Sequence, residues 1–127
     1  MQKTSFNAEA APKPVGGYAQ AVKVSGAQEF LFISGQIPAS TSGEVPADFA
    51  AQAKLTWDNV LAQLSAAGMS VANLVKVTIF LSDRKFALEN RQERQVALGS
   101  HEVALTVIIA GIFDHVWLLE IEAIAAR

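Results

Sequence analysis

VALTVIIAGIFDHVWLLEIEAIAA, residues 103–126, contains two apolar, β-branched runs joined by a glycine-containing loop. Runs of this kind predict a strand, a loop and a second strand. Alternation along the first strand places Leu105 and Val107 on one face. In the second strand Glu120 and Glu122 share a face, within a run apolar enough for a strand covered on both sides. A carboxylate in such a run is either a surface group or the centre of a site.

The composition predicts one folded domain over residues 1–127. Hydrophobic residues make up 51% of the chain and charged residues 17%, which is too apolar for a disordered protein. Ten Lys and Arg against twelve Asp and Glu, with no basic run, argue against a nucleic-acid partner and against a membrane partner. The absence of Cys excludes disulfides and thiolate chemistry and fits a cytoplasmic location. The high apolar content also favours association of subunits.

The N-terminal third of the chain predicts an irregular arm, a hairpin and a loop. Residues 1–16 contain two prolines and are expected to be irregular. The segments Tyr18–Val24 and Glu29–Gln36 alternate enough to be two strands, and the turn between them predicts a hairpin. The Pro- and Gly-containing segment Ile37–Ala47 predicts a loop.

The middle of the chain predicts a helix, a strand and a second helix. Asp48 is a good N-cap, and apolar residues then recur at helical spacing until Gly68. The segment Leu74–Leu81 alternates as a half-buried strand, and Arg84–Leu98 predicts the second helix. With the two strands of residues 103–126, the order is β-β-α-β-α-β-β, which predicts an α+β fold with both helices on one face of a sheet.

Few residues of this chain carry a pattern that predicts chemistry. His101 and His115 lack a third ligand at a typical spacing, so we expect solvated loop histidines and no metal site. Ser34 lacks the surroundings of a hydrolase serine, and no glycine-rich phosphate loop is present. Glu120 remains the candidate for general acid–base catalysis. The alternative interpretation is that Glu120 is an exposed surface carboxylate beside Glu122.

Six sequence blocks, in this order, resemble the YjgF/Rid family, the reactive intermediate deaminases, also known as the L-PSP endoribonuclease family. The resemblance covers nearly the whole chain. It implies a chorismate-mutase-like α+β fold with a mixed sheet, a homotrimer whose sheets pack around a central barrel, and small-molecule pockets in the clefts between subunits. The blocks are GGYAQAV (16–22), FISGQIP (32–38), AQAKLTWDNVLAQLSAAG (51–68), LVKVTIFLSD (74–83), FALEN (86–90) and LEIEAIA (119–125).

The resemblance also implies an activity. Active family members hydrolyse enamines and imines released by pyridoxal-phosphate enzymes to a 2-keto acid and ammonia, and they need no cofactor. An arginine in a Pro-Ala-Arg-Ser/Thr motif grips the substrate carboxylate, and a glutamate in the EIEAIA block handles the water and its protons. This chain keeps that glutamate as Glu120. The other pocket residues that it keeps are Tyr18, Ser34, Gly35 and Asn90.

The arginine motif is the main departure from the family pattern. Residues 103–106 are Val-Ala-Leu-Thr, so Leu105 occupies the arginine position and Val107 the pocket position two residues later. An apolar side chain cannot replace a bidentate arginine–carboxylate contact. We therefore place the chain in an arginine-lacking subgroup and expect a substrate more apolar than an amino-acid enamine.

Two functions from different classes stay open at this point. One is a cofactor-independent Rid-type deaminase or hydrolase that uses Glu120, and the other is a non-catalytic trimer that binds a small molecule or a partner. A ribonuclease activity, attached to some family members, is disfavoured because no basic groove is visible. Arg84, Arg91 and Arg94 could replace the lost charge from another direction, but their helical spacing predicts a solvated face.

Overall fold

A computed structural model describes all residues, 1–127. The chain forms six strands, two α-helices and two short 3₁₀ helices, Val71–Asn73 and Arg84–Phe86. This content confirms the predicted α+β class. The strands and α-helices in chain order are β1 (Gln2–Phe6), β2 (Ala21–Ser25), β3 (Phe30–Gln36), α1 (Phe49–Ala66), β4 (Leu74–Leu81), α2 (Ala87–Leu98), β5 (Ala104–Ile109) and β6 (Leu119–Ala126).

The main sheet is mixed and has four strands in the order β3-β6-β4-β5. β6 is antiparallel to both β3 and β4, whereas β4 and β5 are parallel. The two strands of residues 103–126 are therefore not neighbours, because β4 lies between them. β1 and β2 form a separate antiparallel pair, and a single bridge from Ala19 to Ala104 joins the segment before β2 to β5.

The structure corrects two predictions for the N-terminal region. Residues 1–16 are not irregular throughout, because Gln2–Phe6 forms β1, so the order gains a strand before β-β-α-β-α-β-β. The predicted hairpin of Tyr18–Val24 with Glu29–Gln36 is also wrong, since β2 pairs with β1 and β3 pairs with β6. Gly26, with φ of +70°, turns the chain between the two sheets.

Both helices cover one face of the main sheet, as predicted. Asp48 caps α1 by accepting a hydrogen bond from the Ala51 amide at 2.8 Å, and Gly68 follows the helix end with φ of +69°. α1 packs on β3 and β6, and α2 packs on α1. Their contact with the sheet forms one core, in which each large apolar side chain stabilises the fold by about 1.5–3 kcal/mol. Neither helix combines the length and apolarity needed to cross a membrane.

β4 separates two chemically different faces of the sheet. Val77, Ile79 and Leu81 are fully buried under the helices. Lys76 and Phe80 point to the opposite face and are only half-buried, because no layer of the chain covers that face. The predicted strand Leu74–Leu81 is confirmed at both ends.

Candidate functional site

Glu120 lies on the open face of the sheet, beside a bulge in β3. β3 and β6 pair regularly up to Ile33, and the register then shifts before Gln36, which leaves Ser34 and Gly35 in the bulge. A Cβ atom on Gly35 would lie only 1.9 Å from Oε2 of Glu120. Glycine is therefore the residue that lets this half-buried carboxylate sit against the β3 backbone.

Glu120 has no cationic partner within the chain. The ion pairs are Lys54–Asp58, His115–Asp114 and Arg127–Glu29, all of them elsewhere. No side-chain hydrogen bond holds the Glu120 carboxylate either, although Ser34 is exposed next to it on the bulge. A carboxylate that is fixed by packing and left unpaired can accept a proton from water.

Tyr18, Asn90, Leu105 and Val107 come together in a cavity of about 350 Å³ between α2, β5 and the segment before β2. Leu105 pairs with Val77 and Val107 pairs with Ile79, so both point to the helix-covered face. Sequence reasoning placed these four residues in one pocket, and the geometry brings them together.

The same geometry separates them from Glu120. Glu120 pairs with Phe80 on the open face of the sheet, whereas Leu105 lies on the face under the helices. Within one chain, Leu105 and Val107 therefore do not form an apolar cleft around Glu120. One chain carries two half-sites: a carboxylate half-site of Ser34, Gly35 and Glu120, and a cavity half-site of Tyr18, Asn90, Leu105 and Val107.

Arg94 is the residue that the sequence prediction misjudged. It was predicted on a solvated face, but it is only 4% exposed and lines the cavity half-site. Its Nη2 donates a hydrogen bond to the Gly16 carbonyl, and its guanidinium carbon lies 5.8 Å from the Tyr18 ring centroid. Burial lowers the pKa of Arg94, and the nearby charge of Arg91 lowers it further, whereas Tyr18 raises it.

Arg91 and Asn90 complete that wall of the cavity. Arg91 lies against Gly16, whose φ is +95° and at which an added Cβ would stand 3.0 Å from the Arg91 Nε. Asn90 is 4% exposed, and its Oδ1 is buried without any hydrogen-bond partner. The three buried positions of α2 are 90, 94 and 98, which are four residues apart and therefore lie on one face of the helix. This spacing is the sequence signal that could have predicted that Asn90 and Arg94 lie together.

Two other predicted or polar residues lie outside these half-sites. His101 was predicted in a solvated loop, but it is half-buried with its Nε2 2.8 Å from the Leu74 carbonyl oxygen. Lys76 donates a hydrogen bond to Oγ1 of Thr106 at 2.6 Å on the open face. Burial lowers the pKa of Lys76, and the charge of Glu122 offsets part of that change. No group of three or more His, Cys, Asp or Glu residues is placed to hold a metal ion.

Comparison with known proteins assigns the family. The family model described as Endoribonuclease L-PSP matches residues 8–127. The chain belongs to the YjgF/Rid family. It is 41% identical to a RutC family protein of Pyrococcus horikoshii, with 100% of this chain and 99% of the relative covered. It is also 45% identical to the 2-iminobutanoate/2-iminopropanoate deaminase of Escherichia coli over 84 residues, 65% of this chain and 62% of that enzyme.

Solved structures of the Rid family share the fold. The Rid protein YyfB of Yersinia pestis, whose function is unknown, matches with a TM-score of 0.86 at 23% identity over all of both chains. Escherichia coli TdcF with bound serine matches with a TM-score of 0.72 at 32% identity, covering 98% of each chain. The six-strand, two-helix arrangement described above is thus the Rid-family arrangement, consistent with the chorismate-mutase-like fold.

Proposed function

We propose that this Rid-family protein hydrolyses a small imine or enamine to a carbonyl compound and ammonia, with Glu120 as the acid–base group. The observation that carries the proposal is the Glu120 carboxylate, which packs against Gly35 and has no partner within the chain. The likeness to a 2-iminobutanoate/2-iminopropanoate deaminase supports the same reaction class.

The proposed chemistry needs one group that both accepts and donates a proton. Glu120 takes a proton from water as the water oxygen bonds to the carbon of the protonated imine, which gives a neutral carbinolamine. Glu120 then returns that proton to nitrogen, and its carboxylate accepts the hydroxyl proton as the carbon–nitrogen bond breaks, so ammonia leaves and the carbonyl forms. General acid–base catalysis of this kind contributes about 10²–10⁴-fold. No cofactor takes part in this scheme.

We further propose that the protein is a homotrimer in which the carboxylate half-site of one subunit faces the cavity half-site of the next. Two observations support this arrangement. The half-sites lie on opposite faces of the sheet, so one chain cannot bring them together. Large apolar side chains also stand in solvent, with Phe32 at 74% exposure beside Ser34 and Phe113 at 95%. Subunit contact would cover these side chains and close the cleft.

A second candidate function is a trimer that binds a small ligand without turning it over. Leu105 favours it, because the family motif has its carboxylate-binding arginine at this position and Leu105 cannot bind a carboxylate. The retained Glu120, Ser34 and Gly35 favour the enzyme. In both cases the ligand occupies the cleft between subunits.

Glu120→Gln tests the proposed reaction, because the amide keeps the size of the side chain and cannot accept the proton. An enamine is generated in the assay by a pyridoxal-phosphate dehydratase, and keto-acid release is followed above the buffer rate. We expect a loss of about 100-fold or more. Glu122→Gln is the matched control, since Glu122 lies two residues along the same face of β6, and it should leave the rate unchanged.

Two outcomes would overturn the enzyme proposal. One is a wild-type rate no higher than that of the buffer for every imine supplied, combined with ligand binding in the cleft, which favours the binding trimer. The other is an equal loss in the two Gln variants, which would mean that Glu120 has no special role.

A further inference from the structure

Arg94 and Arg91 place two positive charges against the cavity half-site without any carboxylate to neutralise them. Neither arginine takes part in an ion pair within the chain. Arg94 is 4% exposed, and the Gly16 carbonyl takes only one of its five N–H donors. A buried charge without a partner is costly, so such a group is normally paired. Arg94 therefore has unused capacity for an anion, and the exposed Arg91 adds a second positive charge beside it.

A second observation in the same cavity points to a ligand. The buried Oδ1 of Asn90, one helical turn before Arg94, has no hydrogen-bond partner. Native proteins pair nearly all such atoms, and an exception calls for a specific explanation. A bound molecule with an N–H or O–H group would supply the missing donor, and its negative group would meet the arginines.

The opposite wall of the cavity is apolar. Leu81, Leu105 and Val107 line it from β4 and β5, while Asn90, Arg91 and Arg94 line it from α2. The cavity thus has a polar, charged wall from α2 and an apolar wall from the sheet. Its volume of about 350 Å³ suits a molecule of modest size.

We infer that Arg94 and Arg91 form a carboxylate-binding clamp on α2, and that the ligand is a small carboxylate whose apolar group packs on Leu105 and Val107. The clamp approaches from the wall opposite to β5, where the family motif has its arginine. The ligand therefore lies with its carboxylate toward α2. This inference rests on the proposed function for the identity of the reacting group, and it departs from the loss of carboxylate binding that Leu105 alone predicts.

Binding is tested in the full-length Glu120→Gln protein, in which turnover cannot interfere. The probe is 4-methyl-2-oxopentanoate, with its neutral primary amide and pyruvate as companions, and the dissociation constants come from calorimetry. We expect the amide to bind about tenfold or more weakly than the carboxylate, since a charge-assisted bond is lost. Pyruvate should also bind about tenfold more weakly, since it lacks the branched group.

Arg91→Gln, Arg94→Gln and Arg94→Lys identify the clamp. Arg91→Gln and Arg94→Gln should each weaken carboxylate binding about tenfold and leave amide binding unchanged, whereas Arg94→Lys should recover part of the loss because it keeps the charge. Arg84→Gln is the control, because Arg84 is exposed and lies outside the cavity. If Arg94→Gln does not fold, Arg91→Gln and Arg94→Lys decide the question.

Equal affinity for the carboxylate and its amide, or carboxylate binding unaffected by the Arg91 and Arg94 variants, would overturn the clamp. Equal affinity for pyruvate would overturn the apolar contact. These results are separable from the failure of the proposed function. Arginine-dependent binding without any hydrolysis by the wild type would support the clamp and contradict the enzyme proposal. Hydrolysis that is unchanged in the Arg91 and Arg94 variants would support the enzyme proposal and contradict the clamp.

Discussion

Gly35→Ala tests whether hydrolysis depends on where the Glu120 carboxylate sits. A Cβ on residue 35 would lie 1.9 Å from Oε2 of Glu120 and 2.8 Å from its Cδ, whereas ordinary contact begins at 3.4 Å. The oxygen must therefore retreat by about 1.5 Å, the difference between 3.4 and 1.9 Å. The backbone need not change, because Gly35 is not among the glycines with positive φ.

The two expected effects of this displacement differ greatly in size. Moving a half-buried glutamate side chain out of its rotamer costs about 0.5–1.5 kcal/mol, so the free energy of unfolding should fall by about 1 kcal/mol. Misplacing a catalytic group by about 1 Å can cost about 100-fold in rate. We therefore expect Gly35→Ala to fold well and to lose about 100-fold in kcat/KM for imine hydrolysis.

Keto-acid release and urea unfolding measure the two effects. Gly111→Ala is the matched control, because Gly111 has no positive φ and an added Cβ there meets nothing within 4 Å. In the Glu120→Gln background, Gly35→Ala should cause no further loss of rate, since both changes act on one group. Full activity of Gly35→Ala, or an additional loss in the Gln background, would refute the link between Gly35 and Glu120.

Three further predictions concern stability and assembly. Asp48→Ala removes the cap of α1 and should lower the free energy of unfolding in urea by about 1 kcal/mol, more than Asp58→Ala in the exposed pair with Lys54. Burial lowers the pKa of Lys76 from 10.5, so the unfolded chain holds more protons just below pH 10.5 and stability rises with pH there. Lys76→Met should reduce that rise, because the pKa of Lys3 is lowered by burial as well and its share of the rise stays, and an unchanged slope would contradict the prediction. Sedimentation equilibrium should give three chain masses, and a single-chain mass would contradict the trimer.

The elements with a strong periodic pattern could be predicted from the sequence. The strand Leu74–Leu81 and the cap at Asp48 were found because alternation and capping are local signals. Gln2–Phe6 was missed because its side chains are nearly all exposed and show no alternation, so only its pairing with β2 specifies it. The false hairpin has a related cause: β3 pairs with β6, about ninety residues away along the chain, and no local signal reports that choice.

The site residues were predicted as a set, but their division between two faces was not. Alternation predicts that Leu105 and Val107 share a face, yet it cannot relate the face of one strand to that of another. That relation depends on β4, which lies between β5 and β6 and pairs in parallel with β5. Once the registers are known, Glu120 and Leu105 fall on opposite faces. One chain alone therefore does not bring Glu120 and Leu105 into a single cleft.

The prediction for Arg94 failed for a reason that extends beyond this chain. The buried face of a helix is normally recognised in the sequence by a repeat of apolar residues. The buried positions of α2 are Asn90, Arg94 and Leu98, and two of these three residues are polar. The apolar repeat is therefore missing, and the sequence did not indicate that this face is buried. A comparison of β5 alone with the family motif indicates only that Leu105 replaces the arginine and that its charge is lost. Arg94 of α2 and Leu105 of β5 line the same cavity, and the proposed clamp takes its positive charge from α2 instead of β5. In a Rid-family chain without the motif arginine, the residues of α2 that face β5 must be inspected before carboxylate binding is excluded.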